Sequence, residues 1–71
     1  MLTIKQKMVL EAIIWFIKEN DYSPTYREIA DILNCDVRQV FEKSLILEEQ
    51  GYISTINGKA RTIKVLKSID D

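Results

Sequence analysis

Arg38, Gln39, Glu42 and Lys43 fall within one stretch of six residues and offer the hydrogen-bonding chemistry that base edges require. A guanidinium can donate two bonds to guanine, a glutamine amide can pair with adenine, and a carboxylate can accept from cytosine. Glu42 has a second use, because it stands four residues after Arg38, where an ion pair along a helix is equally expected. A second group is purely cationic. Residues 51–67 hold Lys59, Arg61, Lys64 and Lys67 and no acid, a local charge of +4 within a chain of net charge −1. Cations without neighbouring acids suit phosphate oxygens, and Thr25 and Arg27 add a hydroxyl and a further cation ahead of them. Double-stranded DNA is the partner this chemistry fits.

Other chemistries are poorly supplied. The chain has no histidine, Cys35 is its sole cysteine, and Gly51 and Gly58 are its only glycines. Histidine acid–base catalysis, a Cys/His metal site and a glycine-rich phosphate loop are therefore excluded. Neither an enzyme nor a bound cofactor is expected. With 71 residues, 46% hydrophobic and 30% charged, the composition is that of one globular domain over residues 1–71. The opening MLTIKQKMVL has no long apolar run, and Lys18 and Glu19 interrupt the longest such stretch well short of a membrane span. A lone cysteine suits a reducing compartment, so a cytoplasmic protein with no membrane contact is expected.

These side chains must be positioned by local elements that the sequence punctuates clearly. Thr3 and Gln6 form a capping box ahead of Val9, Leu10, Ile13, Phe16 and Ile17, which share a helical face. The polar cluster Glu19-Asn20-Asp21 ends that helix, and Pro24 keeps Ser23 out of helical geometry. Thr25 and Glu28 form a second capping box for a short helix carrying Ile29, Ala30 and Leu33, with Asn34 suited to a left-handed C-terminal position. Asp36 and Gln39 predict a third capping box, and Gly51 suits the residue after that helix. The runs 52–56 and 62–66 read as strands joined by Asn57-Gly58, a two-residue hairpin signal. Helices about 4–19, 26–33 and 37–50 with a wing hairpin about 52–66 make a mainly α three-helix winged helix-turn-helix. In that arrangement the third helix enters a major groove.

The residues also resemble a known family. Leu2-Thr3-x-x-Gln6, Ser23-Pro24-Thr25-x-x-Glu28-Ile29-Ala30-x-x-Leu33, Leu47-x-x-x-Gly51-Tyr52-Ile53 and Gly58-x-Ala60-Arg61-x-Ile63 are similar to the N-terminal DNA-binding domain of LexA-type repressors. The similarity covers residues 2–66. It implies a winged helix-turn-helix that regulates transcription, without the family's C-terminal self-cleaving and dimerising protease domain. Matched backwards from Gly51, the family's contact positions become Asp36, Arg38, Gln39, Phe41 and Glu42. Their chemistry differs, so the family's operator is not implied. Ser44 stands where the family has a core leucine, beside Leu45 and Phe41, which predicts a third helix rotated or packed differently.

The first helix carries a feature that DNA binding does not need. Ile4, Met8 and Trp15 share a stripe, with Trp15 about 200° from Ile13, and Ile14 is expected exposed on the other flank. Clustered apolar groups point to a docking surface for a second copy or a regulatory protein. The alternative is that the wing, or Val65, Leu66 and Ile69, covers them. An adaptor that binds another regulator through this stripe is thus the alternative to direct DNA reading. Cys35 reads as a small apolar residue of the turn.

Overall fold

In a computed structural model that describes residues 1–68, both capping boxes that flank threonine form as the sequence requires. Thr3 Oγ1 accepts the Gln6 amide at 3.1 Å while Gln6 Oε1 accepts the Thr3 amide at 2.9 Å, opening α1 (Ile4–Asn20). The helix ends at Asp21, whose left-handed φ of 63° lets its amide reach Ile17 O at 2.8 Å. Thr25 and Glu28 repeat the capping device for α2 (Tyr26–Leu33). There the C-terminal carbonyls are satisfied by a left-handed Asn34: its amide reaches Asp31 O and the next amide, of Cys35, reaches Ala30 O.

Helix α3 (Val37–Glu49) begins differently from expectation. Asp36 caps it alone, its carboxylate accepting from the Arg38 amide at 3.3 Å. The aspartate carboxylate, one bond longer than the threonine hydroxyls of the other two caps, bonds the second amide of the helix, and Gln39 lines the flank beside Met8 and Leu33 instead of returning to Asp36. The expected reciprocal box at Asp36 and Gln39 is absent. Gly51, at φ +84°, ends the helix by sending its amide to Glu48 O and the Tyr52 amide to Leu47 O.

The expected rotation of α3 does not occur. Val40 and Leu47 are fully buried, and Ser44 lies between them at 2% exposure, while Leu45 and Phe41 stay half-exposed. Each step along a helix turns a side chain by about 100°. Turning the helix to bury Leu45 in place of Ser44 would bring Val40 and Leu47 out of the core. Two buried aliphatics outweigh one leucine. With them, Leu2, Val9, Leu10, Ala12, Ile13, Phe16, Ile29 and Ala30 form a core that Ile53 and Ile63 of the wing complete.

The wing departs furthest from its sequence reading. Strands β1 (Ile53–Ser54) and β2 (Lys64–Val65) are antiparallel, with Ile53 opposite Val65 and Ser54 opposite Lys64. The ladder stops there, so residues 55–63 form a loop and Asn57-Gly58 does not close a two-residue hairpin. The turn it makes, from Ile56 O to the Lys59 amide at 3.2 Å, has a positive φ at Gly58 but none at Asn57, as in a type II turn. Thr62 replaces the missing ladder: its hydroxyl accepts the Ile56 amide at 3.0 Å and donates to Lys59 O at 3.2 Å. Among the described residues no helix is long and apolar enough to cross a membrane.

Candidate nucleic-acid interface

The first turns of α3 divide the candidate base-reading residues between two flanks. Arg38 and Glu42 are exposed on the side away from the core. No ion pair joins them, so the i, i+4 bridge that the sequence allowed is not made. Gln39 and Lys43 lie on the flank towards α1, lining a shallow depression with Lys5, Met8, Leu33 and Cys35. Phe41, one turn after Arg38, lies on the opposite flank, towards α2 and the wing.

On that side the loop 55–63 closes a notch of about 280 Å³ against Pro24, Thr25, Tyr26 and Phe41. Lys59 stands on its rim and is exposed. The floor is orderly. The Tyr26 and Phe41 rings meet edge to face, with centroids 5.5 Å apart and planes at 76°. Burial pushes the Tyr26 hydroxyl above its ordinary pKa, against an opposing hydrogen bond with Thr55. Thr55 in turn donates to Glu48 at 3.2 Å, which ties the start of the loop to the end of α3. Thr25 spends its hydroxyl on the Glu28 cap, and Arg27 is exposed in the first turn of α2.

Arg61 has a different setting from the other wing cations. Its guanidinium grips both carboxylate oxygens of Glu28 at 3.0 Å, donates to Ser23 O at 3.1 Å and lies 5.0 Å above the Tyr22 ring. Beside it the Ile63 amide donates to Ser23 Oγ at 2.9 Å. Hydrogen bonds from Arg61, then from the Thr25 amide, hold the Glu28 carboxyl below the usual carboxylate range. Glu28 in turn raises the Arg61 guanidinium. The backbone reflects the same demand, since Arg61 takes a left-handed φ of 58° that a non-glycine residue rarely adopts. Ser23, Glu28 and Tyr22 thus form a seat for the wing. Glu28 was legible only as a cap, because its second partner lies 33 residues away.

Lys64 faces elsewhere. It lines a cleft with Ile14, Ile17, Lys18 and Tyr22 on the α1 side of the wing, apart from the notch that Lys59 borders. Lys67 stacks over Tyr52, 4.5 Å from the ring centroid. Ile14, expected exposed, is half-buried against the core and borders that cleft with Ile63 and Val65 of the wing. Ile4, Met8 and Trp15 remain uncovered, Trp15 at 52% exposure. Val65 packs on the core and Leu66 is exposed, while Ile69 lies outside the described residues. Cys35 is half-buried and free in the turn between α2 and α3. No group of metal-ligating side chains occurs among the described residues.

Three helices, a tight turn between the second and third, and a two-stranded wing seated on the second define a winged helix-turn-helix. The sequence then narrows the class. The chain belongs to the LexA DNA binding domain family, whose profile matches residues 1–62, a regulatory unit and not a catalytic one. It is similar to the LexA repressor of Thermotoga petrophila, 43% identical over 68 residues, and to that of Thermotoga maritima, 41% identical over 68 residues. Both alignments cover 96% of the chain and 34% of the relative. The LexA repressor of Leptospira biflexa is 34% identical over 70 residues, 99% of this chain and 35% of that protein. The chain thus spans about a third of the length of these relatives.

Proposed function

We propose that this domain binds double-stranded DNA as the reading unit of a transcriptional repressor, with the first turns of α3 in the major groove. Arg38 and Glu42 face the base edges, Gln39 and Lys43 border the groove on the α1 side, and Lys59 and Arg27 engage phosphates. Thr25 supports the same strand through the backbone of the α2 terminus that it caps. Arg61 serves by seating the wing, since its donors are already committed to Glu28 and Ser23. Lys64 adds long-range attraction from the far side of the wing. The observation that carries this reading is an exposed Arg38, without an ion-pair partner among the described residues, one turn before a notch rimmed by Lys59, in a chain of a DNA-binding family.

Selection from random duplexes at two salt concentrations tests it. One motif should emerge, with affinity falling steeply as salt rises. Arg38→Ala should cost about 1–3 kcal/mol on that motif and relax base choice at one position. Equal loss on every duplex would place Arg38 on phosphates, and absence of binding at low salt would defeat the reading. A second reading, in which a second copy or a regulatory protein docks on α1, is favoured by one observation: Ile4, Met8 and Trp15 stay uncovered when Ile14 does not.

A further inference from the structure

Phe41 is half-exposed on α3, yet its ring has a specific aromatic neighbour. Tyr26 packs against it edge to face at 5.5 Å, and Tyr26 is itself partly buried. The core face of α3 is made by Val40, Ser44 and Leu47, and Phe41 points about 100° away from Val40, so the ring is not a displaced core residue. An aromatic ring packed on one edge while half of it meets solvent is suited to a contact outside the chain. Leu45, one turn further on and also half-exposed, extends the same apolar strip.

The location selects the contact. Phe41, one turn after Arg38 on α3, lines the notch that Lys59 rims, and so lies inside the surface proposed above to meet DNA. A phenyl ring offers no hydrogen bond to a base edge. The one apolar feature that bases present in the major groove is the C5-methyl group of thymine. We propose that Phe41 is a specificity-determining residue that packs its exposed face on a thymine methyl, an assignment that rests on the DNA-binding reading above. Phe41 is three residues from Arg38, a rise of about 4.5 Å along the helix. Bases on one strand are about 3.4 Å apart. The thymine therefore lies within one or two base pairs of the base that Arg38 reads.

Single thymine-to-deoxyuridine replacements in the selected duplex isolate the methyl group without altering any hydrogen-bonding edge. Binding of the full chain to each duplex is measured by fluorescence anisotropy. One replacement, within two base pairs of the position relaxed by Arg38→Ala, should weaken binding about fourfold, the effect of losing one buried methyl group. Phe41→Ala should bind the thymine and uracil duplexes equally. The wild-type series needs no variant, so a folding defect in Phe41→Ala does not protect the proposal. If specific binding is retained but every replacement is tolerated, or the penalty persists in Phe41→Ala, Phe41 does not read thymine. If no duplex is bound at low salt, the DNA-binding reading falls and this assignment falls with it.

Discussion

Replacing Ser44 with alanine should make the protein more stable. Ser44 lies at 2% exposure between Val40 and Leu47, and its hydroxyl has no hydrogen-bond partner among the described residues. Folding therefore strips water from a donor and acceptor and returns nothing, a penalty of about 1–3 kcal/mol for a polar group of this kind. Alanine removes the penalty and is the better helix former by up to about 0.5 kcal/mol. Against these stand the few van der Waals contacts of one oxygen, each about 0.1–0.2 kcal/mol. The net expectation is a gain of about 1–2 kcal/mol, which in a domain of this size raises Tm by roughly 5–15 °C. Urea unfolding followed by far-ultraviolet circular dichroism gives the free energy directly. The midpoint should rise with an unchanged slope, since the surface exposed on unfolding scarcely alters. A lower midpoint would refute the reasoning, because it would mean the hydroxyl is satisfied in solution, through water or through the carbonyl one turn back.

The remaining expectations concern the wing and α1. Lys59→Ala should weaken binding to all duplexes and reduce the salt slope by about one, whereas Arg61→Ala should weaken binding while leaving the slope nearly intact. A slope that falls equally in both variants would make Arg61 a phosphate contact. Because Arg61 and the Thr25 amide lower the Glu28 pKa, stability from that carboxylate is full above its unfolded pKa and is lost as pH falls through its folded value. Urea midpoints measured down an acid series should show a decline beginning in the normal carboxylate range and continuing below it. Glu28→Gln should remove that component, and identical profiles for both proteins would show that the ion pair contributes nothing in solution. Met8→Lys with Trp15→Lys should leave a folded domain, since both side chains are half-exposed and lie outside the core cluster. Unfolding of the double variant in a circular-dichroism melt would instead assign the stripe to the core.

Local chemistry was the legible part of this fold. The Thr3–Gln6 and Thr25–Glu28 boxes, the left-handed Asn34 and Gly51 each depend on residues within a turn of one another, and each forms as the sequence implies. Asn57-Gly58 shows where such reading stops. The dipeptide favours a tight hairpin, but Arg61 is drawn to Glu28 and the Ile63 amide to Ser23, contacts spanning 33 and 40 residues. They hold the returning chain away from β1 and leave a wider loop. Ser44 misled in another way. Leu45 and Phe41 are more hydrophobic than serine, yet the phase of α3 is set by Val40 and Leu47 together. Among the candidate site residues, types were readable and directions were not. Nothing in spacing alone separates Lys59, on the notch, from Lys64, on the opposite side of the wing, or distinguishes Arg61 as a group with an internal partner.

Both feet of the wing loop are anchored apart from its tip. Thr62 binds Ile56 across the base, and Arg61 fastens the returning side to α2, while residues 56–61 are all exposed. Lengthening a loop whose ends are already held costs little, about 0.6 kcal/mol for each doubling. Residues could therefore be inserted between Gly58 and Ala60 at the expense of the Ile56–Lys59 turn and the Thr62–Lys59 bond alone, or the charge of Lys59 exchanged, while Thr62–Ile56 and Arg61–Glu28 keep β2 seated. On the DNA-binding reading proposed above, the tip is where a descendant of this protein could acquire or lose phosphate contacts, and so change how long it stays bound, without altering the surface of α3.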